Sequence, residues 1–315
     1  MLQFQPPGFG QKVIKTSLGA MAYYTPIAPP WRSTNQLNSQ SASQSASQSA
    51  SQSASDLPPL VFLHSLGGGS SAYEWSKVYP AFAPRYQVIA PDLIGWGQSA
   101  HPAKTYQVED YFNVLTELLE TIGGSVSVVA SSLTAGITIR LAIQRPDLFK
   151  MLFLVSPAGY ADFGADYGRN VAAQIAGIPG IEQVIYALGA ANELAVRSFL
   201  EQFLFAERSR LTQETVDAYL ASARQPNAEY AALASLRGDL CFDLSLYMSQ
   251  LTVPTAIVWS EASRFGTVAT GERLAKLSEA VKWVWAIAKV GVMPQLETPA
   301  TVIGLLFKAL KMQSA

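Results

Sequence analysis

The sequence has one cysteine, Cys241, and two histidines, His64 and His101. A lone cysteine excludes an internal disulfide, so the fold must be held by its apolar core. Two histidines leave few places for imidazole chemistry. Charge is scarce as well: 14% of the 315 residues are Asp, Glu, Lys or Arg, and the formal net charge is −1 at pH 7. With no basic cluster, a nucleic-acid partner is excluded. The opening MLQFQPPGFG lacks the basic start and apolar run of a secretory leader, and a cytoplasmic setting is expected. The pattern calls for no cofactor and no metal.

Large apolar side chains are missing from one stretch. Residues 33–57 contain SASQ in tandem, which cannot bury enough surface to offset its ordering entropy and reads as a linker insertion. Polarity is missing from another. VAAQIAGIPGIEQVIYALGAA, 171–191, carries a single charge, Glu182. Its length fits a membrane span, but Pro179-Gly180 at the centre and Gln174 and Gln183 argue against one. It reads as a lid on an apolar pocket, a peripheral membrane contact or a surface for a protein partner.

What is present is alternation. KVIKTSLGAMAYYTP predicts a β-hairpin turning near Gly19, within an N-terminal unit 1–32. From residue 58, apolar runs such as LVFLH and MLFLVSPAG alternate with helical patterns such as VEDYFNVLTELLETI. GGGSSAYEW reads as a glycine turn opening a helix. Strands of this kind argue for a mostly parallel sheet with helices on both faces. The first core segment is 58–158. Residues 159–250 read as an inserted helical cap, with Thr212 and Asn227 as helix caps. Residues 251–315 return to the core with PTAIVW, GERLAKL, KWVWAI and TVIGLLFKAL.

The centre of the pattern is SVSVVASSLTAGITIRLA, 125–142. A buried strand runs through small residues into a helix, and Ser132 falls at the apex, beside the helix N-terminus with its outward N–H groups. Arg140 is expected on the polar side of that helix.

Five pieces in order then carry a resemblance. LHSLGGGS is similar to the HG-type oxyanion loop, PDLIGWGQS to D-x-x-G-x-G-x-S, and ASSLTAG to G-x-S-x-G-G. PTAIVWSEAS stands for P-x-x-x-x-W-G-x-x-D, and GVMPQLETP for G-H-x-P-x-L-E-x-P. Over 11–30 and 58–312 the chain resembles the α/β-hydrolase family, of the capped type that includes esterases, lipases and haloalkane dehalogenases. The resemblance implies an α/β-hydrolase fold, with Ser132 at the nucleophile position. It puts Val292 where the triad histidine belongs and Ser263 where the aspartate belongs. Glu261 is the candidate substitute acid, though with no imidazole it has nothing to orient. The oxyanion hole would use the N–H groups of Leu66 and Leu133, with Ser65 and Thr134 replacing glycines of the pattern. His64 would brace backbone, Asp92 would shape its turn, and His101 is expected at the surface. No carboxylate is expected after the strand ending at Val155-Ser156-Pro157, where some family members place the acid. Serine hydrolysis needs a base and an acid to orient it. The implied function is therefore a catalytically impaired hydrolase-like protein holding an apolar small molecule, an acyl ligand or lipid, or a partner protein. The alternative is an active serine hydrolase or acyl-transfer enzyme with a non-standard base.

Overall fold

Apolar runs of five to eight residues are too short for stable helices and too continuous for a half-wet sheet, so they pair as strands covered on both sides. A computed structural model describes residues 1–31, 57–166 and 192–313. The strands are β1 (Phe9–Thr16), β2 (Gly19–Pro26), β3 (Pro59–Leu63), β4 (Gln87–Pro91), β5 (Val126–Ser131), β6 (Phe149–Val155), β7 (Thr255–Ser260) and β8 (Val281–Ile287). They form one sheet in the order β1-β2-β4-β3-β5-β6-β7-β8. The hairpin turns between Thr16 and Gly19 and joins β4 antiparallel. From β4 to β8 every pairing is parallel.

The period-two alternation divides the core. Val128 and Ala130 of β5 pack on one face with α1 (Val108–Ile122) and α2 (Ser132–Gln144). Val129 packs on the other with the C-terminal helix Pro299–Gln313. α1 is set by a capping box in which Gln107 and Asp110 take each other's backbone N–H. The described part of the region 159–250 holds α3 (Glu193–Phe199), which runs into a wider helical turn Leu200–Leu204, then α4 (Gln213–Ala223) and α5 (Ala228–Arg237). After β7 come α6 (Val268–Ala275), the single turn α7 (Pro294–Glu297) and α8 (Pro299–Gln313). The SASQ repeat and the apolar stretch 171–191 lie outside the described residues, save Leu57 at the end of the insertion.

Four local expectations are corrected. GGGSSAYEW opens no α-helix; only tight turns Ala72–Trp75 and Tyr79–Phe82 form, the second with Pro80 in it, after three consecutive glycines. Asn227 precedes α5 in a left-handed conformation, φ 64°, with no side-chain cap. Its amide donates instead to the carbonyl of His101. His101 is half-buried rather than surface-exposed. Arg140 does not face water: its guanidinium lies 4.5–4.9 Å from the ring centres of Phe112, Phe242 and Tyr247, a cation held by ring quadrupoles.

Candidate functional site at the strand–helix elbow

β5 ends at Ser131, extended at φ −127°, and α2 begins at once with Ser132. Ser132 has φ 55°. A β-carbon in that region costs about 1–3 kcal/mol, which the packing around it must supply. Part of that packing is Gly136, one turn into α2. A β-carbon there would lie 2.5 Å from the carbonyl oxygen of Ala158, so the glycine lets the helix seat against the segment after β6. The Ala158 N–H closes the contact on the Ser132 carbonyl at 3.3 Å.

That segment brings the partner the sequence did not announce. Tyr160 Oη lies 2.7 Å from Ser132 Oγ. Tyr160 has φ 63°, and Ser156 and Phe163 in the same segment have φ 45° and 58°. Two carboxylates hold this strained path. Asp162 accepts from the N–H groups of Gly159 and Leu244, and Asp243 from those of Phe163 and Gly164. Burial pushes the Tyr160 phenol up to about 12; the hydrogen bond to Ser132 pulls the other way, and neighbouring Cys241 and Asp162 push further up. It is a neutral phenol at any physiological pH. Cys241 is itself pushed up to about 12, chiefly by burial, so it is a thiol and not a thiolate. The first carboxylate after β6 is Asp162, whose oxygens are spent on backbone N–H groups.

The positions implied for base and acid hold no titrating group. Val292 is 6% exposed and packs with Tyr73, Leu204, Phe205, Val216 and Leu296; its N–H donates to the Leu204 carbonyl at 2.8 Å. Ser263 sits in the turn after β7, its N–H on the Ser260 carbonyl and its Oγ accepting from Phe265 N–H. Glu261 is exposed, and its N–H bonds the Ile287 carbonyl. Among the described residues it makes no bond to Ser132 or Tyr160, so nothing draws it into the elbow.

The loop expected to supply an oxyanion hole follows β3, the strand beside β5. Leu66 and Leu133 are both buried, and Leu133 lies in the first turn of α2, whose leading N–H groups have no acceptor within the helix. His64 is fully buried. Its Nδ1 lies 2.6 Å from the Ser65 carbonyl, and its Nε2 accepts from Leu93 N–H at 2.8 Å. A ring that donates at Nδ1 and accepts at Nε2 is neutral, and burial lowers its pKa to about 4. Asp92, also fully buried, accepts from Ala72 N–H, Gln98 N–H and Tyr24 Oη; burial raises it to about 6 against those bonds.

A second buried carboxylate, Glu74, anchors the loop. It accepts the Ser65 N–H and Ser65 Oγ at 2.8 Å each, and Tyr219 Oη of α4 at 3.1 Å. Burial raises its pKa. The serine that replaces the glycine of the resembled loop is thus a ligand for Glu74. Neither Glu74 nor Tyr160 stood out in the sequence, because Glu74 meets Tyr219 145 residues away and Tyr160 meets Ser132 28 residues away, after the neighbouring strand.

A family model for alpha/beta hydrolases matches residues 60–305. A haloalkane dehalogenase of Bradyrhizobium diazoefficiens is 36% identical over 98 residues, 31% of this chain and 31% of that protein. The (E)-2-((N-methylformamido)methylene)succinate hydrolase of Acinetobacter baylyi is 27% identical over 186 residues, 58% of this chain and 65% of that protein. The matched segments thus cover less than two thirds of either relative. Among solved structures, an epoxide hydrolase, CorEH, superposes with TM-score 0.73 over 96% of this chain and 99% of its own, at 22% identity, a likeness of fold. With its eight-stranded sheet and its serine at a left-handed elbow, the chain belongs to the alpha/beta hydrolase family.

Proposed function

We propose that this protein binds an apolar small molecule or acyl compound over the elbow and does not hydrolyse it at a rate a complete triad would reach. One observation carries the reading: Ser132 Oγ is paired with a neutral phenol, while the base position, Val292, is sealed in an apolar cluster. A serine attacks an acyl carbon only as its proton leaves, and a phenol that keeps its own proton does not accept a second. The N–H groups of Leu66 and Leu133 would still polarise a ligand oxygen. Donors of that kind sustain about 10³ over water without a base, several orders below a full triad.

A second reading has its own support. The left-handed Ser132 is strain that a mere binding pocket does not require, and the matched relatives carry enzyme names, one a hydrolase and one a haloalkane dehalogenase. In that reading Ser132 is a working nucleophile of an esterase-like or acyl-transfer enzyme with a non-standard base.

Fluorophosphonate labelling of the full chain, with Ser132→Ala as control and turnover of short acyl esters alongside, separates the two. Weak labelling and turnover no faster than the control are expected; robust serine-dependent turnover refutes the binding reading. Restoring the pattern with Val292→His and Ser263→Asp should raise esterase activity by at least ~10². Absence of any gain would mean the pocket itself has diverged. Peripheral membrane contact through 171–191 is also proposed, as a lesser alternative to a lid; liposome flotation that persists without those residues would refute it.

A further inference from the structure

Two hydroxyls at 2.7 Å share one proton and keep another. A phenol is the better donor and an aliphatic hydroxyl the better acceptor, because the aromatic ring draws on the lone pairs of its oxygen. With Tyr160 as the donor of this bond, the serine proton is left for an outside acceptor. A hydroxyl that accepts one hydrogen bond is polarised to give a stronger one.

The surroundings say what acceptor that would be. Tyr160 stands edge-on to Phe265, ring centres 6.3 Å apart. Phe265 stacks with Phe203 at 6.4 Å, and Phe203 lies 5.7 Å from Phe199. Phe265 and Phe203 are 40% and 44% exposed, so a row of rings runs from the surface to the hydroxyl pair with open area on its members. Such faces and edges take another aromatic ring in offset or T-shaped contact. The charge nearest the phenol is that of Asp162, and Asp243 binds the same segment at the Phe163 N–H. A second negative charge at the elbow would be repelled at low dielectric. Near by, the buried hydroxyls of Ser131, Thr134 and Ser156 have no hydrogen-bond partner among the described residues, so the vicinity is polar without being charged.

Building on the reading that Ser132 has no base, we propose that Tyr160 turns Ser132 from nucleophile into hydrogen-bond donor, and that the elbow recognises a neutral aromatic carbonyl compound. The carbonyl oxygen accepts from Ser132, and the ring lies along Phe265 and Phe203. Tyr160 is in this sense a positioning residue, acting through Ser132.

Three probes of one shape test this on the full chain: 2-acetylnaphthalene, 2-ethylnaphthalene and 2-naphthoate, titrated by ligand-observed NMR. The ketone should bind about tenfold more tightly than the hydrocarbon, the margin of one hydrogen bond, and more tightly than the carboxylate. Tyr160→Phe should cut ketone affinity about three- to tenfold while leaving the hydrocarbon unchanged. Ser132→Ala should erase the ketone's advantage. Phe265→Ala should weaken both. Equal binding of ketone and hydrocarbon, tighter binding of the carboxylate, an advantage that survives Ser132→Ala, or no binding of any probe at its solubility limit each overturns the proposal. Fluorophosphonate labelling keeps the underlying reading separate. Fast labelling of the wild type defeats the absence of a base, whereas the ketone–hydrocarbon margin is read without any covalent step. Tyr160→Phe should label faster than wild type, since the donor that quiets Ser132 is gone; slower labelling would make Tyr160 a helper of attack and overturn its assigned role.

Discussion

At the scale of single residues, two buried groups near the loop after β3 pull the acid stability of the protein in opposite directions. His64 has its pKa lowered to about 4 in the fold, so its contribution is present above the unfolded value near 6.5 and is lost as pH falls toward 4. Asp92 has its pKa raised to about 6, so its contribution is complete below the unfolded value near 3.8 and is lost as pH rises through 6. Each shift corresponds to about 3 kcal/mol at full extent. Between pH 7 and pH 4.5 they offset each other, with the raised Glu74 on the side of Asp92. Single variants should unmask each half. Urea unfolding of Asp92→Asn should show stability falling by up to about 2 kcal/mol from pH 7 to 4.5, the His64 contribution less the opposing share of Glu74. His64→Gln, which can still donate to the Ser65 carbonyl and accept from Leu93, should show stability rising over the same interval. Parallel slopes in the two variants would refute the assignment. The same scale explains what the sequence concealed. His64 and Asp92 announce themselves through local motifs, but Tyr160 follows β6 in a segment with no motif. Its meaning comes from a 2.7 Å approach to Ser132, which no spacing encodes.

At the scale of elements, the elbow depends on how closely α2 seats against the segment after β6. Gly136→Ala would drive a β-carbon into the Ala158 carbonyl, a backbone atom with no rotamer to move. The expected cost is about 1–3 kcal/mol in chemical denaturation, with loss of the Ser132–Tyr160 register. Unchanged stability would show that the segment is free to retreat. Glu74 plays a comparable part between the loop after β3 and α4. Glu74→Ala leaves the Ser65 N–H and Tyr219 Oη without their acceptor, and two orphaned buried donors cost about 2–4 kcal/mol. Helix and strand identities were largely legible because periods of 2 and 3.6 are local properties of the chain. The failures were local conflicts decided from outside. Asn227 gave up its cap to bond the His101 carbonyl, and Arg140 left the polar face for a cage of rings supplied by α1 and the segment 242–247.

For the whole molecule, the large insertion between β2 and β3 enters where the sheet can tolerate it. β2 runs antiparallel to β4 and β3 parallel to it, so the end of β2 and the start of β3 lie at the same edge, two strand spacings apart. A short connection would reach across. Replacing residues 33–56 by about six Gly and Ser residues should therefore leave the fold intact and raise stability by less than about 1 kcal/mol, the difference in closure entropy. A large loss would mean that the repeat contributes contacts of its own. Among the described residues no helix is long and apolar enough to cross a membrane.

The sequence by itself determined the sheet, the order of its motifs and the position of Ser132, because apolar periodicity and small-residue turns act over a few residues. It also determined that imidazole is missing at 292, since a side chain absent from the chain cannot be folded into existence. What only the tertiary structure decided is which distant side chains meet. Tyr160, Glu74 and Arg140 take their roles from partners brought together across strands and from the region 159–250. A hydrogen bond or a ring contact depends on ångström distances that packing sets and chain order does not.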